Sequence, residues 1–89
     1  MYQIEFSEEA RKELYKMMKS DVQAYKKFES LIPELQEHPY TGMGHPHQLR
    51  HVNGVWSRKL DKKNRLRYTV NDETVVVLVV SALGHYDDK

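Results

Sequence analysis

Tyr2, Ile4 and Phe6 alternate with Gln3 and Glu5, a period of two that predicts a short half-buried strand. Ser7 then fits a helix N-cap, and Glu8 and Glu9 fall in the first turn, where the helix dipole favours negative charge. Ala10, Leu14, Met17 and Met18 follow at helical spacing. Ser20-Asp21 breaks the pattern and can cap a second helix, whose apolar stripe is Val22, Tyr25, Phe28, Ile32 and Leu35. Pro33 should kink that helix or weaken its last turns, because proline lacks an amide donor and clashes with the preceding turn. His38-Pro39 ends it.

Beyond the loop from Tyr40 to Gly44 the pattern turns β-rich. His47 to His51 reads as a short strand, Asn53-Gly54 as a turn, and Val55 to Leu60 as a strand. Asp61-Lys62-Lys63-Asn64 is a four-residue turn, Arg65 to Val70 a strand, and Asn71-Asp72-Glu73 another turn. The run from Thr74 to Leu83, continuously apolar from Val75 to Val80, reads as a central strand buried on both faces. The order β-α-α-β-β-β-β predicts an α+β fold: an antiparallel β-meander with an N-terminal strand and a two-helix hairpin on one face. Residues 1–89 form one domain in this reading, with no repeat or linker.

Composition adds the compartment and the charge distribution. No cysteine is present, which suits a reducing cytoplasm. No apolar run approaches the roughly 20 residues that span a bilayer, and the first residues do not resemble a signal peptide. The net charge of +1 hides an asymmetry. Residues 1–37 carry six Lys/Arg against eight Asp/Glu, while residues 38–86 carry seven against three, together with all five histidines. A basic half of this kind suits a polyanion partner; basic strands that merely stay solvated are the competing reading.

Candidate chemistry follows from strand parity. Leu66, Tyr68 and Val70 form the apolar face of their strand, so Arg65 and Arg67 share the other, about 7 Å apart. Two such guanidiniums either clamp a phosphate or face solvent. Trp56, Arg58 and Leu60 share a face, with Ser57 and Lys59 opposite; Trp56 reads as core. Arg58 and Lys59 cannot both face one groove, so one should meet phosphate and the other solvent. His45 and His47 are two residues apart, but without cysteine or a further ligand motif no metal site is expected. His85 differs from them, because an apolar strand delivers it and Tyr86 to a fixed place. Metal-free RNA cleavage needs a base for the 2′-hydroxyl, an acid for the 5′-oxygen and a cation for the phosphorane. His47, His85 and Arg65 could supply all three.

The chain resembles the RelE/YoeB toxins of bacterial toxin–antitoxin systems, and is most like YoeB, over nearly its whole length. The resemblance rests on Ser7-Glu8-Glu9, Lys26-Lys27, His38-Pro39-Tyr40-x-Gly42-x-Gly44-x-Pro46 and Leu49-Arg50-His51. It continues through Gly54-x-Trp56-Ser57-Arg58, Asn64-Arg65-Leu66-x-Tyr68 and the terminal His85-Tyr86. No single piece is specific; the ordered set is. The resemblance implies a microbial-ribonuclease-like fold and a cofactor-free endoribonuclease that cuts messenger RNA in the ribosomal A site. It implies inhibition by a cognate antitoxin, contact with operator DNA only through that antitoxin, a homodimer as an allowed state, and no membrane partner. The transition-state arginine falls on Arg65, the general acid on His85 and the terminal tyrosine on Tyr86. Arg58 falls on a second phosphate-binding position, and Lys59, Arg67, His45 and Arg50 are further candidates for RNA contact.

One position departs from the family. YoeB-like toxins carry a glutamate general base after the loop proline, where this chain has His47, and no Asp or Glu lies between Glu37 and Asp61. Either His47 takes the role, His45 substitutes, or the base is missing. A His/His pair predicts a bell-shaped pH profile whose apparent pKa values belong to the coupled pair. With no base, the chain would be a non-cleaving ribosome- or antitoxin-binding module.

Overall fold

The computed structural model describes residues 1–42, 44–50, 53–73 and 76–81, the last of these by their backbone. The elements are β1 (Gln3–Phe6), α1 (Glu8–Ser20), α2 (Val22–Glu37), β2 (His47–Gln48), β3 (Trp56–Lys59), β4 (Arg65–Asn71) and β5 (Val76–Ser81). They form a five-stranded sheet in the order β1-β5-β4-β3-β2. Strands β2 to β5 are the expected antiparallel meander. The N-terminal strand joins it parallel to β5, Ile4 opposite Val77, which puts β5 in the interior of the sheet.

Local chemistry sets the helix ends. Ser7 Oγ accepts the Ala10 N–H at 3.0 Å and Asp21 Oδ1 accepts the Ala24 N–H at 3.2 Å, each satisfying a donor the first turn leaves open. Pro33 does not end α2: the helix runs on to Glu37, and His38 N–H closes it on the Glu34 carbonyl at 2.6 Å. The proline lies on the exposed side, so its missing N–H opens no gap in the core.

The apolar stripe of α2 differs from the expected one. Ala24, Phe28, Leu31 and Leu35 are buried, Tyr25 and Ile32 flank them half-buried, and Val22 is exposed. On α1, Met17 takes the core position and Met18 faces out. Adjacent apolar residues on a helix cannot both face inward, and the docking angle on the sheet selects between them. The core joins Ala10, Leu14, Met17 and the α2 stripe to Leu60, Leu66 and Tyr68.

The β2 strand is shorter than the sequence suggests, since only His47 and Gln48 pair, with Ser57 and Trp56 of β3. His51 lies outside the described residues, as does the extension of β5 beyond Ser81. The 61–64 turn forms as expected, with Asp61 Oδ1 accepting the Lys63 and Asn64 N–H groups at 2.8 Å. Partial burial pushes the Asp61 carboxyl up, but those bonds and the Asn64 side chain outweigh it and hold it below its ordinary value. No helix among the described residues is long and apolar enough to cross a membrane.

Candidate functional site

The helices pack on one face of the sheet, through Leu60, Leu66 and Tyr68. Strand parity puts Trp56 and Arg58 of β3, with Leu60 just after it, on the helix side with Leu66, Tyr68 and Val70 of β4. Ser57, Lys59, Arg65, Arg67 and Thr69 take the opposite side.

The register turns these residues into two rows. His47 pairs with Ser57, and Ser57 with Arg67, so an imidazole, a hydroxyl and a guanidinium cross three adjacent strands. Arg67 pairs in turn with Ser81 of β5, next to a register shift at Arg67/Tyr68. One step along, Lys59 pairs with Arg65. His47 and Lys59 are exposed and Arg65 is half-buried, so an incoming anion can reach all three. Arg67 is on the expected face but only 1% exposed, so it offers almost no surface for the direct phosphate contact expected of it. Arg50 is exposed just past β2, where Leu49 N–H donates to the Val55 carbonyl at 2.9 Å.

His45 adopts a left-handed backbone (φ 52°), directly after Gly44 at φ 81°. Such a turn strains a residue with a side chain and is readily adopted by glycine. It aims the His45 carbonyl back at the next imidazole, 3.1 Å from His47 Nδ1. A carbonyl only accepts, so Nδ1 carries the hydrogen, and the neutral ring keeps its lone pair on Nε2. His47 is exposed on the same face as Lys59 and Arg65, with its ring lone pair on Nε2.

Arg58 corrects the reading taken from the resemblance. It is fully buried on the helix side, so no phosphate reaches it. Its Nη1 donates to Glu34 Oε2 at 2.6 Å, and its Nη2 donates to the His38 carbonyl at 2.9 Å and the Thr41 carbonyl at 2.8 Å. The guanidinium lies 5.9 Å from the centre of the Tyr68 ring, and the Tyr68 hydroxyl donates to the Pro39 carbonyl at 2.6 Å. Burial pushes the Tyr68 phenol up, partly offset by the neighbouring Arg58 cation. Of Arg58 and Lys59, Lys59 is the one exposed to solvent.

Sequence reasoning passed over Glu34. It adjoins the Leu31/Leu35 stripe, and a carboxylate at the edge of an apolar stripe signals a buried cation partner. A second cluster, equally unforeseen, gathers at Asp72, whose carboxylate accepts the Tyr2 hydroxyl and, at 2.6 Å, the Tyr40 hydroxyl. The Tyr2 bond and then the Tyr40 bond hold the Asp72 carboxyl below its ordinary value, and the same carboxylate pushes Tyr40 up to about 12. Tyr40 also packs on Trp56, ring centres 5.0 Å apart. Among the described residues no group of His, Asp and Glu could hold a metal ion. His85 and Tyr86 lie outside the described residues.

Comparison with known proteins identifies the family. The family model for the YoeB-like toxin of bacterial type II toxin–antitoxin systems matches residues 6–86. The chain is 32% identical over 82 residues to Toxin YoeB of Escherichia coli K12, covering 91% of this chain and 95% of that one. It superposes on a YoeB dimer structure from Staphylococcus aureus with a TM-score of 0.83 at 28% identity, over 96% of this chain and 98% of that one. A heterotetrameric YoeB–YefM toxin–antitoxin complex from the same organism matches with a TM-score of 0.79 at 28% identity, over 97% and 99% of the two chains.

Proposed function

The chain belongs to the YoeB-like toxins of bacterial type II toxin–antitoxin systems, and on that premise we propose that it is a metal-independent endoribonuclease acting in the cytoplasm. Its substrate is messenger RNA bound in the ribosomal A site, and its effect is to stop translation. The observation that carries this reading is the pairing of Lys59 with Arg65 on the open face, one row from His47. Two cations opposite one another repel unless an anion lies between them, and a phosphodiester is such an anion.

Each step then has a residue. His47 Nε2 takes the proton from the 2′-hydroxyl, and the oxygen attacks the adjacent phosphorus. Arg65 stabilises the charge that builds on the nonbridging oxygens, and Lys59 with Arg50 and His45 holds the flanking phosphates. Arg67 adds positive potential. His85 protonates the departing 5′-oxygen, and Tyr86 orients that imidazole or the substrate; these two roles rest on the resemblance. The products are a 2′,3′-cyclic phosphate and a 5′-hydroxyl. A cognate antitoxin holds the toxin inactive and links it to operator DNA, as the YoeB–YefM and RelB–RelE complexes among its structural relatives suggest, and the YoeB dimer supports a homodimer.

The test is primer extension on messages bound to ribosomes, with the wild type, His47→Ala, His85→Ala and Arg65→Ala. Cleavage within the A-site codon that each substitution abolishes is expected. Ribosome binding by the wild type without cleavage would replace this reading with the non-cleaving module.

A further inference from the structure

Three consecutive residues of β3 hold the segment that leads to His47, each in a different way. Arg58 reaches under it and binds the His38 and Thr41 carbonyls. Lys59 donates its backbone N–H to the Gly44 carbonyl at 2.8 Å. Ser57 pairs with His47 itself. With Tyr68 on the Pro39 carbonyl, four carbonyls between residues 38 and 44 are drawn inward onto β3 and β4. Two glycines let the segment approach this closely. A Cβ on Gly42 would collide with the Glu34 carboxylate, and one on Gly44 would lie 2.7 Å from Arg58 Cγ and 2.5 Å from the Lys59 carbonyl.

We propose that Arg58, oriented by Glu34, is a positioning residue that fixes where His47 stands relative to the Lys59–Arg65 pair. This rests on the catalytic reading above and adds to it a residue that touches neither RNA nor the reacting atoms. The guanidinium suits the task because its planar fork serves three acceptors from α2 and the loop at once. An ammonium at the same place has neither the fork nor the span. Glu34 fixes the rotation of the fork, so that Nη2 points to the two loop carbonyls. The loop then delivers His45, whose carbonyl sets the His47 tautomer. Positioning errors of about 1 Å cost up to about 100-fold in rate.

The decisive experiment compares the wild type with Arg58→Lys, Glu34→Gln, Glu34→Ala and Gly42→Ala, in steady-state cleavage of ribosome-bound message and in NMR of the His47 ring in the free toxin. Arg58→Lys, Glu34→Ala and Gly42→Ala should lower kcat about 10- to 100-fold with KM changed less than about twofold, and should shift the His47 ring signals and tautomer equilibrium. Glu34→Gln keeps an acceptor oxygen in place and should retain most of kcat. Full kcat in a folded Arg58→Lys overturns the proposal, as does a loss carried entirely by KM, the mark of an RNA ligand. Should Arg58→Lys fail to fold, Gly42→Ala and the two Glu34 variants decide, because their side chains reach solvent or the loop. If the wild type binds ribosomes without cutting, the catalytic reading falls separately. The His47 signals then decide the positioning claim, with unchanged signals overturning it.

Discussion

Lys59 and Arg65 lie directly opposite each other across the β3–β4 ladder. Like charges in that relation destabilise a sheet by up to about 1 kcal/mol, a stability cost that an RNA phosphate would offset under the proposed function. Replacing either should therefore raise or preserve the Tm of the free toxin while weakening its hold on RNA. For Arg65→Ala, cleavage should fall about 100- to 1000-fold, as for loss of one transition-state donor. The slope of log Kd against log salt should fall by about 0.7 for each cation removed, measured by titrating single-stranded RNA. An unchanged slope in Lys59→Ala would mean that this lysine meets no phosphate.

The His45 carbonyl assigns the hydrogen of neutral His47 to Nδ1. Nitrogen-15 NMR at neutral pH should show that tautomer in excess. A protonated ring has no lone pair to accept the 2′-hydroxyl proton, so cleavage should depend on pH. His47→Ala should lose about 100- to 10,000-fold, the usual worth of a general base. Single-turnover rates level between about pH 5 and 8 would exclude an imidazole base.

Asp72 couples the N-terminus, the segment after α2 and the β4–β5 turn through the Tyr2 and Tyr40 hydroxyls. Its carboxyl is lowered from 3.8 in the folded state, so its contribution is complete above about 3.8 and disappears as pH falls through the lower folded value. Tyr40 is raised from 10.0 to about 12, so its contribution is present below 10.0 and is lost as pH rises toward 12. Asp72→Asn should bring the spectrophotometric titration of Tyr40 down toward 10.0 and flatten stability against pH at both extremes. A Tyr40 midpoint that does not move in Asp72→Asn would remove the coupling.

Tyr68→Phe removes the hydroxyl that donates to the Pro39 carbonyl and leaves a buried acceptor open, at a cost of about 1–3 kcal/mol. Leu66→Ala, by contrast, removes a fully buried side chain from between the helices and the sheet and should cost about 2–5 kcal/mol. Urea unfolding of both checks the order. A larger loss in Tyr68→Phe than in Leu66→Ala would mean that the loop anchor outweighs the core contact.

The pattern of the chain by itself determined the element order, the helix caps at Ser7 and Asp21, and the sharing of faces along each strand. These depend on interactions within a few residues: a side-chain oxygen reaching an amide three positions on, and the period-two alternation of a strand. Parity was enough to place Arg65 with Arg67, and Arg58 opposite Lys59. Parity already put Arg58 on one face with Trp56 and Leu60; what it does not contain is whether a guanidinium can stay buried there, and that the tertiary structure decided. It put Arg58 inside, because Glu34 and two carbonyls about 20 residues away supply acceptors that no local pattern announces. It turned α2 so that Ala24 and Leu31 replaced Val22 at the core, since a helix with apolar residues on neighbouring rows docks by whichever row fits the sheet. It also joined Tyr2 to Asp72, 70 residues apart, through the parallel pairing of β1 with β5. A guanidinium carries the same charge in a core as on a surface, and only the partners that the fold brings to it settle which of the two it occupies.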